Sequence, residues 1–389
     1  MHIHRIKNDE TVYSVAEEYG VSPIRLGYDN DIDNFKRLAP GRELLVLIPT
    51  RTYNVRRGDS LKKISLRFGV GEERIKTLNP ELLCTGKLYP GQLLVIKNSE
   101  PIYGMGIANG YVYSGCTKNM LLRAMPYLSY VTVCSAVAEG GRIRTIPGLE
   151  NVVEEAHRYS KTVLMRIYVK DETDILSSEF IKSAVILAKS GGFDGITLSR
   201  KPKEDDKDKL AELKKILLDG ELLLFIEREL KDAGCSSEYA DASILTYDKI
   251  HLESIPTFEE GEKYYLTKYA ELCNPEGAFV DLSSFSVIGS RFIEKGRASA
   301  IADRNRSPLT FDSERLVITG DVGRGKKSRE LCQESLENTK AKLELISELG
   351  YLGISFDVMR IPQAELMMFA NMYTQPPAVR KRVICNPPD

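Results

Sequence analysis

The sequence predicts an α/β protein, a (β/α)8 TIM-type barrel with a small α+β insertion, preceded by two βααβ modules. Two observations carry this. Residues 6–21, IKNDETVYSVAEEYGV, return as residues 55–70, VRRGDSLKKISLRFGV, at a constant offset of 49, and self-similarity at a fixed period marks a repeated supersecondary unit. From about residue 101 onward, apolar strand-like runs alternate with amphipathic stretches, the pattern of a parallel sheet covered by helices.

The repeat aligns Ile6 with Val55, Thr11 with Ser60, Val15 with Ile64, Tyr19 with Phe68, Gly20 with Gly69 and Asn30 with Asn79, and APGRELLVLIP with YPGQLLVIK. Each unit reads as a short strand, a Ser or Thr N-cap, an apolar helix stopped by Gly, a second helix ending at Asn, and a closing strand after Pro-Gly. The expected modules span 1–49 and 50–98.

The barrel is expected over 101–376, with strands at 102–108, 130–136, 162–168, 194–199, 222–227, 242–248, 277–283 and 351–357. Most are continuous apolar runs, as strands buried on both faces require. The stretch 284–330 is too long for one helix and contains the strand-like RLVITGD, so it reads as an insertion between strands seven and eight; 377–389 reads as a C-terminal tail.

Composition narrows the function classes. With 54 basic and 55 acidic residues intermixed, no broad field attracts nucleic acid or an anionic membrane. Seven scattered cysteines form no C-x-x-C pair and read as reduced or buried thiols. The N-terminus has no apolar signal-peptide core and no run approaches a membrane span, so synthesis in the cytoplasm without a signal peptide is expected. His2, His4, His157 and His251 stand apart, and neither a metal nor a cofactor is expected. GDVGRGKKSR (320–329) misses the phosphate-loop spacing, and RKPKEDDKDK (200–209) reads as a solvated loop opening a helix.

The second repeat, YNVRRGDSLKKIS with LYPGQLLVI, resembles the LysM domain, a module that binds N-acetylglucosamine-containing glycans such as peptidoglycan and chitin. The resemblance implies a glycan between the loop at Gly58, Asp59 and Ser60 and the loop after Asn79 and Pro80. The first copy departs from the pattern, with Asp9-Glu10 where Gly-Asp is usual.

FDGI in strand four, LTYD (245–248), and LGYLGISF followed by RIPQAELMMF resemble glycoside hydrolase family 18, in particular its LysM-bearing spore-cortex N-acetylglucosaminidases. That family carries D-x-x-D-x-D-x-E on strand four, the final Glu being the general acid. Laid on this sequence, the four positions are Asp194, Thr197, Ser199 and Lys201. Lysine, with an ordinary pKa near ~10.4, is a cation at neutral pH and opposes the oxocarbenium charge. A positioned acid is worth about 10²- to 10⁴-fold in rate, so no catalytic residue is expected there. The tryptophan that floors the family's sugar site is absent, since the chain has no Trp.

Tyr247, Asp248, Glu227, Asp281 and Asp357 are the pocket candidates. Glu227 reads as a solvated strand-end carboxylate, Asp281 as the partner of a neighbouring cation such as Arg166, and Lys201 as the partner of Asp248, Asp357 or Glu227. The expectation is a glycan-binding protein of the bacterial cell wall or spore envelope, associated with spore coat or cortex, in which spore-coat proteins form a further class of partner. Two alternatives stay open: a hydrolase using Glu227, Asp248 or Asp357 as acid, and a coat scaffold that binds proteins only.

Overall fold

The computed structural model describes residues 1–79, 82, 87–98, 103–170, 176–199, 207–229, 239–246, 256–282, 285–323, 325 and 328–373. Pro80, Lys201, Tyr247, Asp248, His251 and the 377–389 tail lie outside them.

In the first module β1 (His2–Arg5) pairs antiparallel with β2 (Glu43–Val46) around helices Val12–Tyr19 and Pro23–Asp29; in the second, β3 (Pro49–Asn54) pairs with β4 (Leu93–Asn98) around Leu61–Phe68 and Glu72–Leu78. The expected punctuation is in place. Thr11 and Ser60 cap the first helices by accepting from the backbone N–H of Ser14 and Lys63, and Gly20 and Gly69 end them at φ 64° and 65°. Asp9 adopts φ 66° at the place of Gly58, φ 85°, so the departure in the first copy preserves the turn at the cost of a strained residue.

The barrel begins with β5 (Ile107–Val112), β6 (Tyr130–Glu139) and its antiparallel extension β7 (Arg142–Thr145). It continues through β8 (Thr162–Val169), β9 (Gly195–Ser199), β10 (Leu223–Glu229), β11 (Ala242–Thr246) and β12 (Ala278–Asp281). An excursion follows in β13 (Ser286–Ile288), β14 (Arg291–Phe292), β15 (Leu309–Asp312), β16 (Val317–Val322) and β17 (Arg329–Glu334), before β18 (Gly353–Asp357) completes the barrel. Eight parallel strands run in the order β5, β18, β12, β11, β10, β9, β8, β6, closed by β5 on β6. The excursion forms its own five-stranded antiparallel sheet, backed by the helix Lys295–Asn305. GDVGRGKKSR contributes to both strands of the β16–β17 hairpin, in which Val322 stands opposite Arg329.

The first barrel strand corrects the sequence reading. It was expected at 102–108 and lies at 107–112; Asn109-Gly110, a pair common in turns, is used by the barrel inside a strand. Gly110 is required by space: a Cβ there would stand 2.8 Å from Leu128 and Val358 side-chain atoms. Asn109 points into the barrel, donating to Ser355 Oγ (3.0 Å) and accepting from Thr132 Oγ1 (2.7 Å), which satisfies a fully buried amide.

Below that polar layer the interior is apolar. Tyr130, Phe225 and Phe279 form a cluster with ring centroids 5.2–5.7 Å apart, so the barrel is filled and chemistry is confined to the C-terminal rim. Among the described residues no helix is long and apolar enough to cross a membrane, and Cys116, Cys134 and Cys332 are free thiols.

Candidate binding site at the barrel mouth

Strand alternation brings Tyr111 of β5, Arg166 of β8, Glu227 of β10, Thr246 of β11, Asp281 of β12 and Asp357 of β18 to one cavity of about 200 Å³, which Tyr113 and Arg360 also line. Three of the five pocket candidates, Glu227, Asp281 and Asp357, therefore share a site.

Glu227 is not solvated as expected; it is buried. Arg166 donates to it through Nε (2.6 Å to Oε1) and Nη2 (2.7 Å to Oε2), and the Tyr111 hydroxyl donates to Oε1 at 2.7 Å. Such a bidentate, charge-assisted pair fixes both oxygens as acceptors. Arg166 thus pairs with Glu227 rather than with the expected Asp281. The pair bridges β8 to β10 across β9, the strand carrying Thr197 and Ser199, two hydroxyl residues at positions where the resemblance calls for carboxylates. Thr197 is fully buried, and the Ser199 hydroxyl accepts from Val169 N at 3.1 Å.

The electrostatics follow from burial. It pushes the Tyr111 and Tyr113 hydroxyls far above the usual phenol range and the Cys134 thiol up to about 12, so none is a nucleophile at neutral pH. Burial works against the Arg166 charge, but the Glu227 hydrogen bonds and charge outweigh it and keep the guanidinium protonated. Asp357 differs: burial, opposed by a 2.9 Å hydrogen bond from Met359 N and by the charge of Arg360, holds its carboxyl above the usual carboxylate value. Burial thus favours the protonated form of this cavity-lining carboxyl.

Asp194, first of the four motif positions, lies at the other end of β9. Its Oδ2 meets His157 Nε2 at 2.9 Å and accepts from Val163 N at 2.7 Å, a fastening between strand and helix. His157 is therefore paired rather than isolated, and so is His4, whose Nε2 lies 2.8 Å from Glu10.

In the second module Asp59 Oδ2 accepts from the Tyr53 hydroxyl (2.6 Å) and Arg56 N (2.8 Å), bonds that hold its carboxyl below the usual range. Gly58 supplies the turn and Ser60 the cap. Asn79 serves the scaffold of the module. It is fully buried and its amide is spent inside the module, donating to Ile75 O and Val95 O (2.7 Å each) and accepting from Val95 N (2.8 Å).

Sequence reasoning missed Tyr111, Tyr113, Thr246 and Arg360. Tyr111 was hidden by the misplaced first strand; in the register 107–112 its alternation with Asn109 puts it inside.

Repeat and barrel together define the class of protein: two LysM domains followed by a barrel with the fold of family 18 glycosidases. Residues 4–46 and 53–97 match the LysM domain family. The chain is similar in fold to the Bacillus megaterium spore cortex-lytic enzyme SleL, with a TM-score of 0.74 at 19% identity over 96% of this chain and 98% of that one. The barrel alone superposes on a chitinase from Chromobacterium violaceum, TM-score 0.58 at 15% identity over 68% of this chain and 98% of that one. At these identities the likeness is one of fold. The N-acetylmuramoyl-L-alanine amidase sle1 of Staphylococcus saprophyticus is 28% identical over 119 residues, an alignment spanning 26% of this chain and only 36% of that protein.

Proposed function

We propose that this chain is a glycan-binding protein of the bacterial cell wall or spore envelope. It holds N-acetylglucosamine-containing polymers through its LysM domains and carries a family 18-type barrel that no longer cleaves them. One observation carries the second half: the carboxylate at the centre of the mouth, Glu227, is locked by Arg166 and Tyr111, while the position of the family acid is Lys201. A general acid must arrive holding a proton within reach of the leaving oxygen; Glu227 arrives with both oxygens accepting. The cavity, at about 200 Å³, is also below the ~300–1,000 Å³ of ordinary ligand pockets.

The family relatives' spore setting supports a place on the spore coat or cortex, where coat proteins are a further class of partner.

A second reading has its own support. Asp357 retains its proton more readily than an ordinary carboxylate and lines the cavity, which favours hydrolysis by a non-standard acid. Incubating the full chain with cortex peptidoglycan and chitooligosaccharides, with pelleting and product mass spectrometry on the same samples, separates the readings. Pelleting without soluble products is expected. Products that vanish in Asp357→Asn would establish the hydrolase, and failure to pellet on either polymer would leave the protein-binding scaffold.

A further inference from the structure

Among the described residues one group of three side chains can each offer a metal ion a ligand atom: His4 on β1, Glu10 in the loop after it, and Glu18 in the helix Val12–Tyr19. Those atoms lie within 4.8 Å of one another. His4 is buried, Glu10 half-buried and Glu18 exposed. His4 Nε2 stands 2.8 Å from Glu10 Oε2, and its other nitrogen, Nδ1, stands 3.2 Å from the Tyr19 hydroxyl. Glu10 Oε2 also accepts from Lys7 N at 2.7 Å, and the Lys7 ammonium, on an exposed side chain, lies 3.6 Å from Oε1.

The second module is an internal control. The offset of 49 places His4 over Tyr53, Glu10 over Asp59, Glu18 over Arg67 and Tyr19 over Phe68. There the same spot is self-contained: the Tyr53 hydroxyl donates to Asp59 at 2.6 Å and Arg67 Nη1 donates to the Tyr53 oxygen at 2.8 Å. The module therefore folds with a phenol and a cation at these places. The first copy instead has an imidazole for the phenol and a carboxylate for the cation, keeps the remaining carboxylate, and adds a hydroxyl behind the imidazole. Every change moves the site toward metal ligation.

We propose that the first module binds a divalent cation of the zinc class through His4 Nε2, Glu10 and Glu18. One imidazole and two carboxylates form a mixed nitrogen–oxygen donor set of ligand types that zinc takes, whereas calcium and magnesium prefer oxygen alone. With the ion bound, the Tyr19 hydroxyl, 3.2 Å from Nδ1, would accept from Nδ1–H and so hold the tautomer that turns the Nε2 lone pair to the ion. Ligands around a tetrahedral ion at ~2.0–2.2 Å stand about 3.4 Å apart; the exposed Glu18 side chain closes the remaining gap by changing rotamer. Any proton on Nε2 leaves to solvent as the ion binds, and the Lys7 ammonium swings into water. The ion then ties β1, the first loop and the first helix together, fixing the loop that corresponds to Gly58-Asp59-Ser60 in the second copy.

Calorimetric titration of the chelator-stripped full chain with zinc chloride, then with calcium chloride, tests this. Zinc is expected to bind once per chain and calcium not to compete. Glu18→Arg and His4→Tyr, each copying the second module, should weaken zinc binding at least ~10-fold. Glu18→Arg changes an exposed helix position, so a native circular-dichroism spectrum separates loss of a ligand from loss of fold. Absence of zinc binding in the wild type, or undiminished affinity in Glu18→Arg, which would place the ion elsewhere, such as on a thiol, overturns the proposal.

Discussion

Arg166 is the residue on which the barrel mouth depends. Removing one partner of a buried ion pair leaves a desolvated charge, whereas removing both leaves little penalty. Arg166→Met is therefore expected to cost about 3–5 kcal/mol in urea unfolding, and Arg166→Met/Glu227→Met to recover most of it. An equal loss in the double variant would mean that packing, not charge, holds the mouth. At this scale the sequence was informative where spacing along one strand decides and silent where partners come from two. Thr197 and Ser199 follow from the period of two within a single segment. That Arg166 reaches over β9 to Glu227, leaving Asp281 to other company, depends on how strands align around a closed barrel, and no local pattern encodes it.

Among the elements, the two βααβ units show how a single amide can join a helix end to a strand. Asn30 donates to Leu26 O and Leu45 O and accepts from Leu45 N, the arrangement Asn79 repeats 49 residues later. Each fills the role of a C-cap while completing the edge of β2 or β4. Asn79→Ala strands buried backbone groups at ~1–3 kcal/mol each; a lowered thermal midpoint is expected, with hydrogen exchange at Val95 N accelerated. If Val95 exchange is unchanged, the clamp is not what orders that strand. The repeat made these elements legible, since Ser, Thr, Gly and Asn recur at matching places. The expected glycan contact at Asn79 came from the LysM resemblance; a residue spent on the scaffold, as the Asn79 amide is, leaves the same mark in a repeat as one required by a ligand. In the first barrel strand, Asn109-Gly110 is a pair common in turns, and only the closeness of Leu128 and Val358 explains a glycine in mid-strand.

At the scale of the molecule, the inserted sheet and both modules are fastened to the barrel through buried polar contacts. Glu334 of β17 and Glu262 both lie 2.9 Å from the ammonium of Lys342, in the helix Leu336–Glu348. Burial, partly offset by Lys342 and reinforced by the Glu262 charge, raises the Glu334 carboxyl from 4.5 to about 7. The folded state thus holds this proton more tightly than the unfolded chain, and the stability it adds is complete below pH 4.5 and lost as pH rises through about 7. The urea midpoint of the wild type is expected to fall relative to that of Glu334→Gln as pH is raised through this window; parallel curves would refute the assignment. Nothing in the sequence marks such a trio, whose members come from three segments. The modules are tied in the same manner. Arg42 pairs with Asp303 of the insertion, Leu309 N donates to Pro40 O at 2.8 Å, and Gln363 N donates to Asp31 at 2.7 Å. Arg74 of the second module donates to the carbonyls of Ala370 and Tyr373, and Asn98 meets Asn371 at 2.8 Å. The modules are consequently not beads on a flexible tether. Two binding sites on a pliant linker accept many spacings, at an effective concentration set by linker length; two sites on one frame accept only ligands whose own repeat matches the frame. On the proposed function, with glycan held by both modules, short oligomers that reach one module would gain no avidity from the other, while a long, regular polymer would engage both without first having to order a linker, so the chain would measure periodicity along with chemistry.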